Sequence, residues 1–257
     1  MSVRVGWLFS MARSGSSVAA YGAAAPWGHG VADEIFGPWD RTEPPYHYPE
    51  TQLELAAAFN VAGLRIDDDV KQLATELFEH FGRETGFVIC KSPHIHPTPD
   101  DVSLAFPDHA QVFLLRNPLH RLNSLHARNW LHACGPRHDL ERYKTFARRW
   151  KQAEHRVAYD DLRADPHRFF ESILRAWGLD ASADRVQAAV DYAQGNYHDS
   201  SLVMSARKSS KPLSEAKFRL PDEAISAYLE DDFVRELMVE QGWSVDPADY
   251  RRKGLFR

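Results

Sequence analysis

Residues 3–17 read V-R-V-G-W-L-F-S-M-A-R-S-G-S-S, and this stretch decides the fold. Its apolar run ends at Phe9 and is too short for a helix, so we predict a buried strand. A turn containing Gly15 follows, and small residues then open a helix. A strand, a glycine turn and a helix N-terminus present unpaired backbone N–H groups and the positive end of the helix dipole. The stretch therefore predicts an anion site at the start of the first helix.

Side chains of the same turn favour an anion as well. The hydroxyls of Ser14, Ser16 and Ser17 add hydrogen-bond donors, and Arg13 adds positive charge. The nucleotide-triphosphate loop G-x-x-x-x-G-K-[ST] carries a lysine after its second glycine, where this chain has Ser16 when aligned on Gly15. A kinase that uses ATP with Mg²⁺ would lack its main phosphate clamp here. The alternative interpretation is a serine-rich helix cap without a ligand.

Four short apolar runs predict strands, and segments with helical periodicity separate them. The predicted strands cover 3–9, 86–90, 110–115 and 156–159. Apolar residues recur with helical spacing over 70–81 and 161–177, and 181–194 and 221–241 add helices with no strand between them. Strands that alternate with helices indicate a parallel sheet covered on both faces. We predict an α/β fold with about four to five parallel strands and a helical C-terminal third.

The composition is typical of a soluble globular protein. The 257 residues are 44% hydrophobic and 26% charged, and we predict one domain over 1–257. Cys90 and Cys134 are too few for a disulfide framework. No stretch resembles a signal peptide or reaches the roughly 18–20 apolar residues that span a membrane. We therefore expect a cytoplasmic protein that does not associate with membranes.

The charge is unevenly distributed. The chain has 31 Lys and Arg against 36 Asp and Glu, a net charge of −5, yet 116–156 holds ten basic residues and three acidic ones. A basic sector on an acidic protein favours one localised anionic ligand, and long nucleic acid fits less well. We expect no nucleic-acid partner.

The front of this sector follows the third predicted strand and reads R-N-P-L-H-R-L-N-S over 116–124. Arg116 lies at the carboxyl end of the strand, where ligands of open α/β sheets bind. Arg121 and Ser124 are three residues apart on one face of the next helix. Guanidinium and hydroxyl groups aimed at one point form a phosphate grip. The alternative makes Arg116 and Arg121 partners in surface ion pairs.

Several segments together resemble the sulfotransferase family that uses 3′-phosphoadenosine 5′-phosphosulfate (PAPS). R-S-G-S-S at 13–17 resembles the family's 5′-phosphosulfate loop in the form found in bacterial and carbohydrate sulfotransferases. Arg116 and Ser124, with Asn-Pro between them, match its 3′-phosphate motif. Y-D-D-L at 159–162, with D-P following, is similar to its Y-E-D-L segment. Three motifs in this order are specific, and the matching segments span about 170 residues, from 7 to 178.

The resemblance implies a P-loop-like fold and transfer of a sulfuryl group from PAPS, by in-line displacement, to a hydroxyl or amine of a small-molecule or carbohydrate acceptor. The product of the donor would be adenosine 3′,5′-bisphosphate (PAP), and no metal is expected. Arg13 would neutralise the bridging oxygen as its bond to sulfur breaks. The remaining implied nucleotide ligands are Ser14, Gly15, Ser16 and Ser17 for the 5′-phosphate and Arg116 and Ser124 for the 3′-phosphate.

The general base is open to several candidates in the sequence. The second strand runs into K-S-P-H-I-H at 91–96, where cytosolic family members place a catalytic histidine in a K-T-H segment. Here the histidine stands one residue later, behind Pro93. His94 is the first candidate and His96 the second, with Glu34 or Asp33 as carboxylate alternatives. Lys91 would contact the sulfuryl group or pair with a carboxylate.

Two weaker sites also follow from the resemblance. Tyr159 would contact the adenine or cap the core at the end of a strand. Arg207 and Lys208 lie where family members have a loop over the 3′-phosphate, although the family's glycine is absent, and a solvated basic loop is the alternative.

The aromatic segment 26–49 would line a pocket for the acceptor or pack as an ordinary loop. The rival functions are a P-loop nucleotide kinase and a non-catalytic nucleotide-binding protein.

Overall fold

The computed structural model describes residues 3–28, 30–36, 50–93, 96–131, 135–196 and 220–250. Five parallel strands form one sheet in the order β2-β3-β1-β4-β5. The strands are β1 (Arg4–Ser10), β2 (Val31–Asp33), β3 (Phe87–Ser92), β4 (Ala110–Leu115) and β5 (Arg156–Ala158). β1 is central because its alternating apolar side chains pack on both faces of the sheet. The predicted α/β fold with a parallel sheet is confirmed.

Helices cover both faces of the sheet. Val5, Trp7 and Phe9 of β1 belong to one core cluster, and Leu8 belongs to the other. The side of Trp7 is covered by α2 (Glu50–Val61), α3 (Asp68–Gly82), α4 (Pro99–Ala105), α5 (Pro118–His126), α6 (Gly135–Gln152), α10 (Asp222–Leu229) and α11 (Asp232–Glu240). The side of Leu8 is covered by α1 (Ser16–Ala24), α7 (Tyr159–Ala164), α8 (Pro166–Ala176) and α9 (Ala183–Asp191).

Two sequence expectations differ from the structure. β2 lies in the segment 26–49, for which the sequence predicts no strand. Three residues are too few to show the alternation of apolar and polar residues that indicates a strand. β2 is stabilised by its pairing with the edge of β3. The helix expected over 161–177 is two helices, since the Asp165 carboxylate accepts from the backbone of Arg168 and Pro166 opens α8.

Among the described residues, no helix is both long and apolar enough to cross a membrane.

Candidate functional site

The turn between β1 and α1 lies at the carboxyl edge of the sheet. The Ser14 amide donates to the Met11 carbonyl at 3.1 Å, and Gly15 precedes α1 with φ of 90°. Among the described residues, no side chain caps the start of α1, and its first turn contains no acidic residue. Its first N–H groups are therefore suited to an external anion, as the sequence predicts. Arg13 has φ of 70°, a left-handed conformation that costs a residue other than glycine about 1–2 kcal/mol.

Two guanidinium groups hold the backbone of this turn. Arg116 donates from Nη1 to the carbonyl oxygen of Arg13 at 2.9 Å. Arg121 donates from Nε to the carbonyl oxygen of Ala12 at 3.1 Å. Two consecutive carbonyl oxygens, which would repel an anion, are thus engaged by positive donors.

Arg13 connects the two predicted phosphate motifs. Its Nε donates to the Ser124 hydroxyl at 3.0 Å, and its guanidinium lies 5.9 Å from the ring centroid of Trp130. Trp130 is 47% exposed, so the Arg13 side chain lies beside an aromatic surface open to solvent. The structure therefore brings Arg13 together with Arg116 and Ser124, each of which lies more than 100 residues after it in the sequence.

Tyr159 lies beneath this group rather than at its rim. The central carbon of the Arg116 guanidinium lies 4.6 Å from the centroid of the Tyr159 ring, so the two groups stack. Tyr159 is only 4% exposed. A Cβ on Gly15 would lie 2.2 Å from Tyr159 ring atoms, so the contact requires glycine. This placement favours the core interpretation of Tyr159, and contact with adenine stays a prediction. Arg116 Nε is buried without a hydrogen-bond partner in the described part of the chain. Burial lowers the pKa of Arg116.

Arg121 is part of a buried ion pair and not of a phosphate grip. Its side chain is 2% exposed and binds the Asp139 carboxylate with Nη1 and Nη2 at 2.6 and 2.9 Å. The Tyr228 hydroxyl donates to the same carboxylate at 2.6 Å. Burial would raise the pKa of Asp139, but the hydrogen bonds from Arg121 hold it below its usual value. The pair therefore stays ionised inside the protein.

Lys91 forms a second buried cluster on the other side of the turn. Its ammonium lies 2.7 Å from Asp33, 2.7 Å from Glu34 and 3.1 Å from the Ser17 hydroxyl. Burial would lower the pKa of Lys91, but the two carboxylates raise it. Burial raises the pKa of Asp33 despite this cation and a hydrogen bond donated by Tyr21 at 3.2 Å. The lysine thus connects the anion-binding turn to two carboxylates at the end of β2.

The remaining predicted residues have mixed placements. Ser14 and Ser16 are buried in the turn, and His96 is exposed. Three predicted site residues, His94, Arg207 and Lys208, lie outside the described residues. Of the aromatic segment, Trp27 packs beneath the guanidinium of Arg185 at 5.1 Å. Trp39, Tyr46 and Tyr48 lie outside the described residues. Within the described ranges, no three His, Cys, Asp or Glu residues cluster as a metal site.

Sequence reasoning missed two features of the site. Asp139 lies 18 residues after Arg121 on a different helix, and nothing in the sequence pairs them. Trp130 follows the turn of Asn129, whose φ is 63°, and a solitary tryptophan after a helix gives no signal of function. The helical spacing of Arg121 and Ser124 did place both on the face that contacts the turn.

The comparisons with known proteins agree on one family. A model described as "Sulfotransferase family" matches residues 37–183, which is 147 of 257 residues. The fold is similar to the crystal structure of a sulfotransferase from Alicyclobacillus acidocaldarius, with a TM-score of 0.51 and 13% identity over 97% of this chain and 99% of that one. It is also similar to mouse sulfotransferase SULT7A1 complexed with PAP, with a TM-score of 0.53 and 11% identity over 94% and 89%. No curated protein matches the sequence. The family predicted from the motifs is confirmed, and the chain is an enzyme that belongs to the sulfotransferase family.

Proposed function

We propose that this chain transfers the sulfuryl group of PAPS to a hydroxyl or amine of a small-molecule or carbohydrate acceptor. The observation that carries the proposal is the start of α1 beside Arg13, which no described side chain caps, with Arg116 and Ser124 brought to the same turn. The mouse relative was crystallised with PAP, the product that such a donor leaves behind.

The residues of the turn fit a nucleotide with two anionic groups. Backbone and hydroxyl donors of 14–17 would hold the 5′-phosphate at the helix N-terminus. Arg116 and Ser124 would hold the 3′-phosphate, and the buried Nε of Arg116, which has no hydrogen-bond partner among the described residues, supports this assignment. A buried guanidinium donor without a partner is costly unless a ligand completes it. Arg207 and Lys208, from the C-terminal part of the sequence, would add positive charge for the 3′-phosphate.

Arg13 would act on the bond that breaks. The acceptor oxygen or nitrogen attacks sulfur, the bond from sulfur to the bridging oxygen breaks, and negative charge develops on the 5′-phosphate. A positive group held in advance at that charge is worth about 10²–10³ in rate. Its hydrogen bond to Ser124 and its contact with Trp130 hold the Arg13 side chain beside the anion-binding turn.

The acceptor must also lose a proton, and the candidates for the base are His94, His96, Glu34 and Asp33. His94 is the first candidate of the sequence. Lys91 connects two of these carboxylates, Asp33 and Glu34, to Ser17 of the turn, and Asp33 also accepts a hydrogen bond from Tyr21, which favours Glu34 as the base. A positioned base contributes about 10²–10⁴ in rate. We propose that Glu34 takes this role, with His94 as its competitor.

A transfer assay with sulfur-labelled PAPS and a panel of phenols, sterols, sugars and amines tests the function. We expect one acceptor class to form a labelled ester or sulfamate. Glu34→Gln should lower kcat about 100-fold with PAP affinity preserved, while the exposed Glu84→Gln serves as the control. If His94→Ala shows that loss instead, the base is His94. PAP binding without transfer to any acceptor would favour the non-catalytic alternative.

A further inference from the structure

One helix contacts the anion-binding turn at two consecutive residues. On α5, Ser124 accepts from Arg13, and Arg121 donates to the carbonyl of Ala12 at 3.1 Å. Ser124 belongs to the predicted phosphate motif, whereas Arg121 is buried behind the turn and faces Asp139. Arg121 therefore has a role that phosphate binding does not account for.

The backbone at this point needs support. Arg13 directly follows Ala12 and adopts φ of 70° without being glycine. A residue persists in such a conformation only where its surroundings determine it, and such residues cluster at functional sites. Hydrogen bonds to the carbonyls of Ala12 and Arg13 fix the peptide groups on both sides of the Arg13 α-carbon.

The guanidinium of Arg121 is itself held in place. Two of its nitrogens bind Asp139, and the third, Nε, binds Ala12. Asp139 is fixed in turn by the hydroxyl of Tyr228 on α10. This use of three nitrogens depends on the planar fork of arginine, which the single ammonium of lysine does not reproduce.

We propose that Arg121 is a positioning residue: anchored by Asp139 and Tyr228, it fixes the backbone at Ala12 and so aims Arg13 at the sulfuryl donor. The role of Arg13 in this inference rests on the proposed function. The contact of Arg121 with the turn does not, because it is made within the chain itself.

Arg121→Lys separates positioning from simple burial of charge. Lysine keeps a cation beside Asp139, so we expect the variant to fold, but it gives up the bond to Ala12. Amide hydrogen exchange in peptides covering 10–21 should become at least tenfold faster. We expect kcat to fall 10- to 100-fold while the Kd for PAP changes less than threefold. Lys144→Met, which removes an ion pair between α6 and Asp231, is the control and should leave both readouts unchanged.

The hydrogen-exchange readout tests the role of Arg121 whether or not the protein uses PAPS. The proposal is overturned if the amides of the turn exchange as slowly in Arg121→Lys as in the wild type. It is also overturned if the variant has the kcat of the wild type. If Arg121→Lys does not fold, Tyr228→Phe keeps the ion pair and loosens only the anchor of Asp139. Exchange in 10–21 should then rise about threefold, and no change would contradict the anchoring chain. If the wild-type protein neither binds PAP nor transfers sulfuryl groups, the proposed function fails, while the exchange experiment still decides the role of Arg121.

Discussion

Gly15→Ala tests the packing beneath the anion-binding turn. Gly15 has φ of 90°, and an added Cβ would lie 2.2 Å from two ring carbons of Tyr159. The ring has little space to move because it is buried and lies under the guanidinium of Arg116. The substitution therefore strains the backbone and overpacks the site at once.

The two contributions are separable in magnitude. The left-handed conformation costs alanine about 1–2 kcal/mol, and overpacking a close-packed site adds about 1–3 kcal/mol. We expect Gly15→Ala to lower the free energy of unfolding by about 2–5 kcal/mol in a urea titration. Gly63→Ala is the matched control, because Gly63 has φ of 65° and no atom of the described residues lies within 4 Å of an added Cβ. It should lose only the backbone part, about 1–2 kcal/mol.

A double-mutant cycle completes the test. In a Tyr159→Ala background, the loss from Gly15→Ala should shrink to that of Gly63→Ala, because the clash is gone. The Kd for PAP should rise at least tenfold in Gly15→Ala, since a displaced ring moves the Arg116 guanidinium that stacks on it. Equal losses for Gly15→Ala and Gly63→Ala, or the same loss in both backgrounds, would refute the contact.

Three further changes have defined outcomes. Burial lowers the pKa of His109 from 6.5 to about 4, so its neutral form stabilises the fold above pH 6.5 and this contribution is lost as pH falls toward 4. With partial exposure discounted, urea titrations should show about 1–2 kcal/mol of this loss, and His109→Gln should not show it. Lys91→Met removes the buried cation that pairs with Asp33 and Glu34. It should lower the free energy of unfolding by about 3–5 kcal/mol. The control Lys151→Met, which removes the solvent-exposed ion pair with Glu240, should lose less than about 1 kcal/mol, and equal losses would contradict the buried cluster. Trp130→Ala should leave the melting temperature nearly unchanged but lower kcat/KM about tenfold, and Trp130→Phe should retain most activity if the aromatic surface beside Arg13 matters.

The central part of the fold was predictable from local pattern. β4 begins and ends where its run predicts, at Ala110 and Leu115, because a parallel strand covered on both faces is apolar at nearly every position. α3 extends the predicted 70–81 by a capped first turn, with Asp67 accepting from the backbone of Val70. β2 and α2 gave weaker signals, because one has three residues and the other lies beside a proline-rich segment.

Site residues were predictable from the sequence only where they lie close together in the chain and form a local motif. The glycine at position 15 and the spacing of Arg116 and Ser124 follow from local geometry, so motifs carry them. The pairing of Arg121 with Asp139, and of Lys91 with the end of β2, depends on which helices and strands meet in the fold. Such long-range partners have no fixed spacing, and a single sequence does not specify them.

The use of PAPS as donor is tested most directly by calorimetric titration of the wild-type chain with PAP in the absence of Mg²⁺, beside ATP with Mg²⁺. We expect tight binding of PAP and poor binding of ATP. Arg116→Ala should weaken PAP binding at least tenfold, and Arg156→Ala, an exposed arginine at the start of β5, should not. Preference for ATP with Mg²⁺ would contradict the account and favour a nucleotide kinase. Unchanged PAP affinity in Arg116→Ala would show that the 3′-phosphate is bound elsewhere.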